Sequence, residues 1–359
     1  MKHAAIIFMI ALVGFSPTSS RATCPEYAHF SSLTLHPAPT SKNVSKKNNS
    51  ITWHVKSLPH QFTELLLSWN ASRPRTGLLS FFTNVKHKGV WSGFQKMAEW
   101  GKGAQKSFLE NGHPHVQTKH VRVELQSKNV LGEEFEVEVR AEGGASINDI
   151  KALHVCTTNN NLFNYKKSII DLPSLTISGI PRFSQMHIPH PRFADMCSPT
   201  ATHMIVHYWL GKKFIKPRSH ANHHPLAESA ADFAQQAYDQ SYLNIYGNWP
   251  FNIAHAFDVS QGKLHSSLQR LNTFHDLYDY LKRGIPVAVS IRGVLRNAFK
   301  EYNNGHFVVV VGWDQKHQRV LCIDPAFTEK EEMLRPYYFD DFAFAWAKSR
   351  HLAYVIKPI

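Results

Sequence analysis

Apolar and polar positions alternate with a period of two through much of the stretch from Ile51 to Cys156. In Phe135-Glu136-Val137-Glu138-Val139-Arg140-Ala141-Glu142 every second residue is apolar and each intervening one is charged, which suits a strand with one face on a core and the other in water. Val121-Arg122-Val123-Glu124-Leu125 repeats the pattern, and Asn111-Gly112 and Glu142-Gly143-Gly144 supply turns between such segments. Short alternating strands punctuated in this way predict an antiparallel β-sandwich over residues 51–158. The Ser-, Pro-, Asn- and Lys-rich run before it reads as a flexible leader (residues 23–50), and the aperiodic text of residues 159–176 reads as a linker.

Beyond the linker the period changes. Pro199 to Leu210 is helical with Gly211 as terminator, and Glu228 to Tyr238 is Ala-rich and helical. Ile285 to Ile291, Phe307 to Trp313 and Val320 to Ile323 are β-branched runs of strand length. Helices first and strands later make residues 177–359 an α+β domain. The expected fold class is therefore multidomain, an N-terminal all-β sandwich followed by an α+β domain.

The beginning of the chain alters where such a protein would work. Met1-Lys2-His3, an apolar run from Ala4 to Phe15 and the small-x-small site Ser20-Arg21-Ala22 form the pattern of a secretory signal peptide, residues 1–22, cleaved after Ala22. The apolar run is shorter than the about 20 residues a membrane span needs, and nothing later has that character. A secreted or periplasmic protein without a transmembrane segment is expected. Removing Lys2 and Arg21 with the leader lowers the formal net charge from +13 to +11. That surface favours anionic partners such as an envelope polymer, but no basic motif interleaved with aromatic residues points to specific nucleic-acid binding. Trp53, Trp69, Trp91 and Trp100 lie in the sandwich, either as core or as a platform that stacks carbohydrate.

Four cysteines, Cys24, Cys156, Cys197 and Cys322, are too few for a disulfide scaffold in 359 residues. A Cys24–Cys156 bridge and two free thiols are both compatible with export. Cys197 has the most telling context. In Asp195-Met196-Cys197-Ser198-Pro199-Thr200, Ser198 suits a helix cap and Pro199 the first turn. The sulfur would then sit at a helix N-terminus, where free N–H groups and the helix dipole stabilise a thiolate and make it nucleophilic near neutrality. Such a nucleophile needs a proton carrier. Among 23 histidines His306 stands out, because Gly305 precedes it and a rigid strand follows. Asp324, at the end of the next strand in Cys322-Ile323-Asp324-Pro325, is the candidate to orient that imidazole. A simple hairpin register leaves His306 and Asp324 about three residues out of opposition, so a bulged or asymmetric turn is required.

Cys197-Ser198-Pro199-Thr200, Tyr246-Gly247-Asn248-Trp249-Pro250-Phe251-Asn252, Gly284-Ile285-Pro286-Val287, Gly305-His306-Phe307-Val308-Val309 and Ile323-Asp324-Pro325 together resemble the peptidase C39-like family, over about residues 177–359. The resemblance implies a papain-like fold and a Cys197-His306-Asp324 triad. It also implies an oxyanion hole made by the Cys197 N–H and the side-chain amide of Gln185, in Ser184-Gln185-Met186. Met196 departs from the Trp that similar proteins often carry before the cysteine. The expected activity is a cysteine peptidase acting on peptide or protein substrates without a cofactor. An acyltransferase or amidase on the same fold, and an adhesin-like binder with a vestigial peptidase domain, are the alternatives. His203 and His207, at i and i+4 with His220, His223 and His224 nearby, lack the Glu of a zinc-peptidase motif, since Met204 follows His203. They are read as packed or surface histidines, and no metal is expected.

Overall fold

The computed structural model describes residues 26–34, 44–47, 49–165, 169–211 and 229–359. The signal-peptide reading of residues 1–22, Cys24, His220, His223 and His224 lie outside the described residues. Among the described residues no helix is long and apolar enough to cross a membrane.

Two antiparallel sheets form the N-terminal half. One has six strands in the order Ala28–Thr34, Ile150–Thr158, Glu64–Ala71, Arg122–Leu125, Val116–Lys119 and Leu109–Glu110. The other runs Val44–Lys47, Ser50–Val55, Glu134–Glu142, Leu78–His87, Gln95–Gly101 and Gln105–Ser107, with Val90–Trp91 added to Leu78–His87. The alternation in Phe135–Glu142 has the consequence expected of it: Phe135, Val137, Val139 and Ala141 are buried, while none of the charged residues between them is. Part of the segment read as a flexible leader is instead strand, since Ala28–Thr34 pairs along its whole length with Ile150–Thr158.

Trp53, Trp69 and Trp100 are buried between the sheets and Trp91 is half-buried. Trp69 lies flat on Phe81 at 3.9 Å between ring centroids and meets Trp100 edge-on. Three of the four tryptophans thus pack a core, which leaves no continuous stacking platform.

A third sheet, with five helices among the described residues, builds the C-terminal half. Its order is Leu264–Arg270, Leu352–Pro358, Val287–Gly293, Tyr302–Asp314, Arg319–Ile323 and Leu334–Tyr338, with Leu175–Thr176 also paired to Tyr302–Asp314. The helices are α1 (Cys197–Gly211), α2 (Ala230–Gln236), α3 (Trp249–Val259), α4 (Phe274–Lys282) and α5 (Phe339–Lys348). The segment read as a linker lies against this sheet: besides the Leu175–Thr176 strand, Trp313 Nε1 donates to Leu172 O at 2.9 Å.

The two halves share buried structure. Phe251 and Ala254 of α3 belong to the core between the N-terminal sheets, and Phe251 packs edge-on against Trp69. Burying one such aromatic side chain contributes about 1.5–3 kcal/mol. The strand Leu264–Arg270 would otherwise expose a row of unpaired N–H groups, because it stands at a sheet edge. Alternate residues of the N-terminal half cover that row. Asn70 Oδ1 accepts from Ser266 N at 3.2 Å, Ser68 Oγ from Leu268 N at 3.1 Å and Cys156 Sγ from Arg270 N at 3.3 Å. Cys156 is a buried free thiol in this role; Cys24, the bridge partner considered from the sequence, lies outside the described residues.

Candidate active site

Cys197 is the first residue of α1 and is half-buried. The local reason differs from the expected cap. A short 3-10 turn, Phe193–Asp195, runs directly into the helix, and the Ser198 hydroxyl bonds the Tyr354 hydroxyl at 3.0 Å instead of capping. Thr200 Oγ1 donates back to Met196 O at 2.7 Å, which fixes the residue before the cysteine. The first N–H groups of a helix have no partner within it, so Cys197 stands among free backbone donors.

His306 Nε2 lies 2.7 Å from Asp324 Oδ1, and the Cys197 side chain is near enough to the imidazole to raise its pKa. The structure thus brings Cys197, His306 and Asp324 together. A β-bulge is what makes this possible. Between Tyr302–Asp314 and Arg319–Ile323 the pairing runs Asp314↔Arg319, Trp313↔Val320 and Gly312↔Leu321, then skips Val311 and resumes as Val310↔Cys322 and Val309↔Ile323. One more step sets Asp324 opposite Val308, two residues from His306. Without the bulge the offset is three, and an odd offset puts the two side chains on opposite faces of the sheet. The inserted residue converts it to an even one.

Gly305, just before the histidine, has φ +91°, while an added Cβ would meet nothing closer than 3.9 Å. Backbone conformation and not close approach demands glycine there.

Burial alone disfavours the imidazolium, but the Asp324 charge and bond, with the Cys197 side chain nearby, outweigh it and raise the His306 pKa to about 10. Burial likewise works against the Asp324 carboxylate. The His306 charge and bond, the Tyr337 hydroxyl and the Ala326 N–H outweigh it and hold the carboxyl below its usual range. Both residues are therefore charged near neutrality, and the imidazolium faces the sulfur.

Gln185 is buried at the start of a 3-10 turn, Gln185–His187, and its amide does not point as expected. Nε2 donates to Phe193 O at 3.2 Å and to Ala194 O at 2.9 Å, so it braces the turn that leads into Cys197. Asn248 caps α3 by accepting from Phe251 N and donates to Asp239 Oδ2 at 2.8 Å. The Asn248-Trp249-Pro250 motif is thus a helix start. His203 and His207 pack against Phe183, with His203 buried and its pKa lowered to about 2 by that burial and by His207 and His255 nearby. Among the described residues no group of three or more His, Cys, Asp or Glu side chains is placed to hold a metal ion.

Two residues at the site escaped the sequence reading. Tyr302 and Tyr337 both donate to Asp324 Oδ2, at 2.8 and 2.6 Å. Tyrosines carry no local signal for such a role; only the fold brings them to the carboxylate.

Residues 177–354 match the model of the Peptidase_C39 like family. Solved structures similar to the chain include two of bacterial proteins. A candidate C39-like peptidase from Bacillus anthracis is 16% identical, with a TM-score of 0.35, over 52% of this chain and 98% of its own. Xylellain, a cysteine protease from Xylella fastidiosa, is 12% identical, with a TM-score of 0.33, over 55% of this chain and 91% of its own. No curated protein matches. Residues 177–354 of this chain, which hold Cys197, His306 and Asp324, belong to the peptidase C39-like family.

Proposed function

We propose that the protein is an exported cysteine peptidase that hydrolyses peptide or amide bonds with Cys197 as nucleophile. The observation that carries this reading is the His306 imidazole, bonded to Asp324 at 2.7 Å and near enough to Cys197 for that side chain to raise its pKa. The thiolate attacks the scissile carbonyl, and His306 protonates the leaving amine. His306 then takes a proton from water, which attacks the thioester and frees Cys197. Asp324 holds the ring and stabilises its cation.

The developing oxyanion is met by the free N–H at the start of α1. Gln185 joins it by giving up its longer bond, 3.2 Å to Phe193 O, because an anion is a stronger acceptor than a neutral carbonyl. Export rests on the leader pattern in residues 1–22. The N-terminal sheets are read as a β-sandwich module of residues 51–158, extended by Ala28–Thr34 and Val44–Lys47, on which the α+β papain-like domain is mounted.

Digestion of a peptide library by the wild-type chain beside Cys197→Ala tests the proposal. Cleavage should fall by a factor on the order of 10⁴ or more in the variant. Equal cleavage by both would sink the nucleophile assignment.

A further inference from the structure

Asp324 receives more hydrogen bonds than orienting one imidazole requires. Oδ1 accepts from His306 and from Ala326 N at 2.9 Å, and Oδ2 accepts from the Tyr302 and Tyr337 hydroxyls. A carboxylate offers about four lone-pair directions, so its capacity is filled. Tyr302 has a second contact. Its ring lies on the His306 imidazole with centroids 4.0 Å apart and planes 13° from parallel. The backbone explains how a residue four positions away reaches that place. Pairing with Val287–Gly293 jumps from Ile291↔His306 to Gly293↔Tyr302, so Asn303, Asn304 and Gly305 loop out and Tyr302 returns over the ring. Tyr337 arrives from Leu334–Tyr338 and is wholly buried.

Resting on the peptidase reading, we propose that Tyr302 and Tyr337 are positioning residues of the site: their hydroxyls fix Asp324 as an anion aimed at His306, and the Tyr302 ring fixes the plane of the imidazole. A buried carboxylate short of donors either takes up a proton or turns about its Cβ–Cγ bond. Two donors on Oδ2 oppose both. Phenols suit the task better than lysine or arginine would, because a neutral donor anchors the carboxylate without cancelling the charge that His306 needs. Burial and the Asp324 charge push both phenols further up, so they keep their protons wherever the enzyme would work.

The test needs no substrate. Alkylation of Cys197 by iodoacetamide, followed by mass spectrometry, gives a rate-against-pH profile for wild type, His306→Ala, Tyr302→Phe, Tyr302→Leu and Tyr337→Phe. In the two Phe variants the acid limb moves toward neutrality. The rate at about pH 5 falls roughly tenfold, the effect of losing one hydrogen bond to a charged group, and the plateau near pH 8 stays within about twofold of wild type. Tyr302→Leu, which also loses the stacked ring, lowers the plateau by about tenfold, and Phe at that position restores it. Phe variants whose acid limb does not move would overturn the proposal, whether their profile is unchanged or their plateau and melting temperature simply fall together. A wild-type Cys197 no more reactive than in His306→Ala would overturn the peptidase reading itself, and this inference with it.

Discussion

Arg270 Nε lies 2.5 Å from Glu64 Oε1, with both side chains almost wholly out of solvent. The pair joins the edge strand of the C-terminal sheet to a central strand of the N-terminal one. Glu64 Oε2 accepts from Arg350 at 3.0 Å, and Arg270 Nη1 donates to the carbonyls of Ser349 and Arg350. Replacing Arg270 leaves Glu64 with Arg350 and, at 3.6 Å, Arg122, so what is lost is one buried charge-assisted hydrogen bond, typically about 1.5–3 kcal/mol. Arg270→Met should destabilise the chain by about that much in denaturant unfolding. A loss under about 1 kcal/mol would show that the contact between the halves does not depend on this pair.

The raised His306 pKa fixes a pH dependence and its sign. The group gains its proton more readily folded than unfolded, so its contribution to stability is full below about 6.5 and is lost as pH rises through about 10. Activity follows the same edge, because His306 must hold a proton to release the leaving group. Asp324 acts at the other end: its pKa is lowered, so its contribution is present above the usual carboxylate range and is lost as pH falls through the depressed value. In Asp324→Asn the charge that holds the imidazolium is gone, and the alkaline limb should move from about 10 toward 6.5. Histidine NMR titration of wild type and variant measures both positions.

Thiol chemistry should be selective among the described cysteines. Burial pushes the Cys156 thiol up to about 11 and the Cys322 thiol well above its ordinary value, whereas Cys197 is half-buried beside an imidazolium. Brief iodoacetamide treatment of the native chain should label Cys197 at least about tenfold faster than either. Denaturant should abolish the difference. Native labelling of Cys156 or Cys322 at the Cys197 rate would contradict the burial described here.

Gly312 lies at the bulge that aligns His306 with Asp324, and a Cβ there would come within 2.5 Å of Leu175 O. Backbone cannot move aside as a flexible side chain can. Gly312→Ala should therefore cost about 1–3 kcal/mol and lower cleavage as well as stability, since strain at this point disturbs the register of the two residues. Retained activity with lowered stability would separate the bulge from the site.

Alternation in Phe135–Glu142, the β-branched run from Phe307 to Trp313 and the helix after Cys197 were legible in the sequence, because period and turn chemistry act over a few residues. Cys197, His306 and Asp324 could be named for the same reason, each having a recognisable local setting at a helix start or a strand end. The chain alone also dictated that a simple hairpin would misalign the last two. Which residue would bulge out, that Tyr302 would fold back over His306, and that Gln185 would turn its amide to Phe193 and Ala194 were decided by pairing between distant strands and loops. So was the union of the two halves through Phe251, Asn70 and the Glu64–Arg270 pair. Local pattern states only which face of an element is apolar. What covers that face, and which buried donor meets which acceptor, is settled when the elements pack.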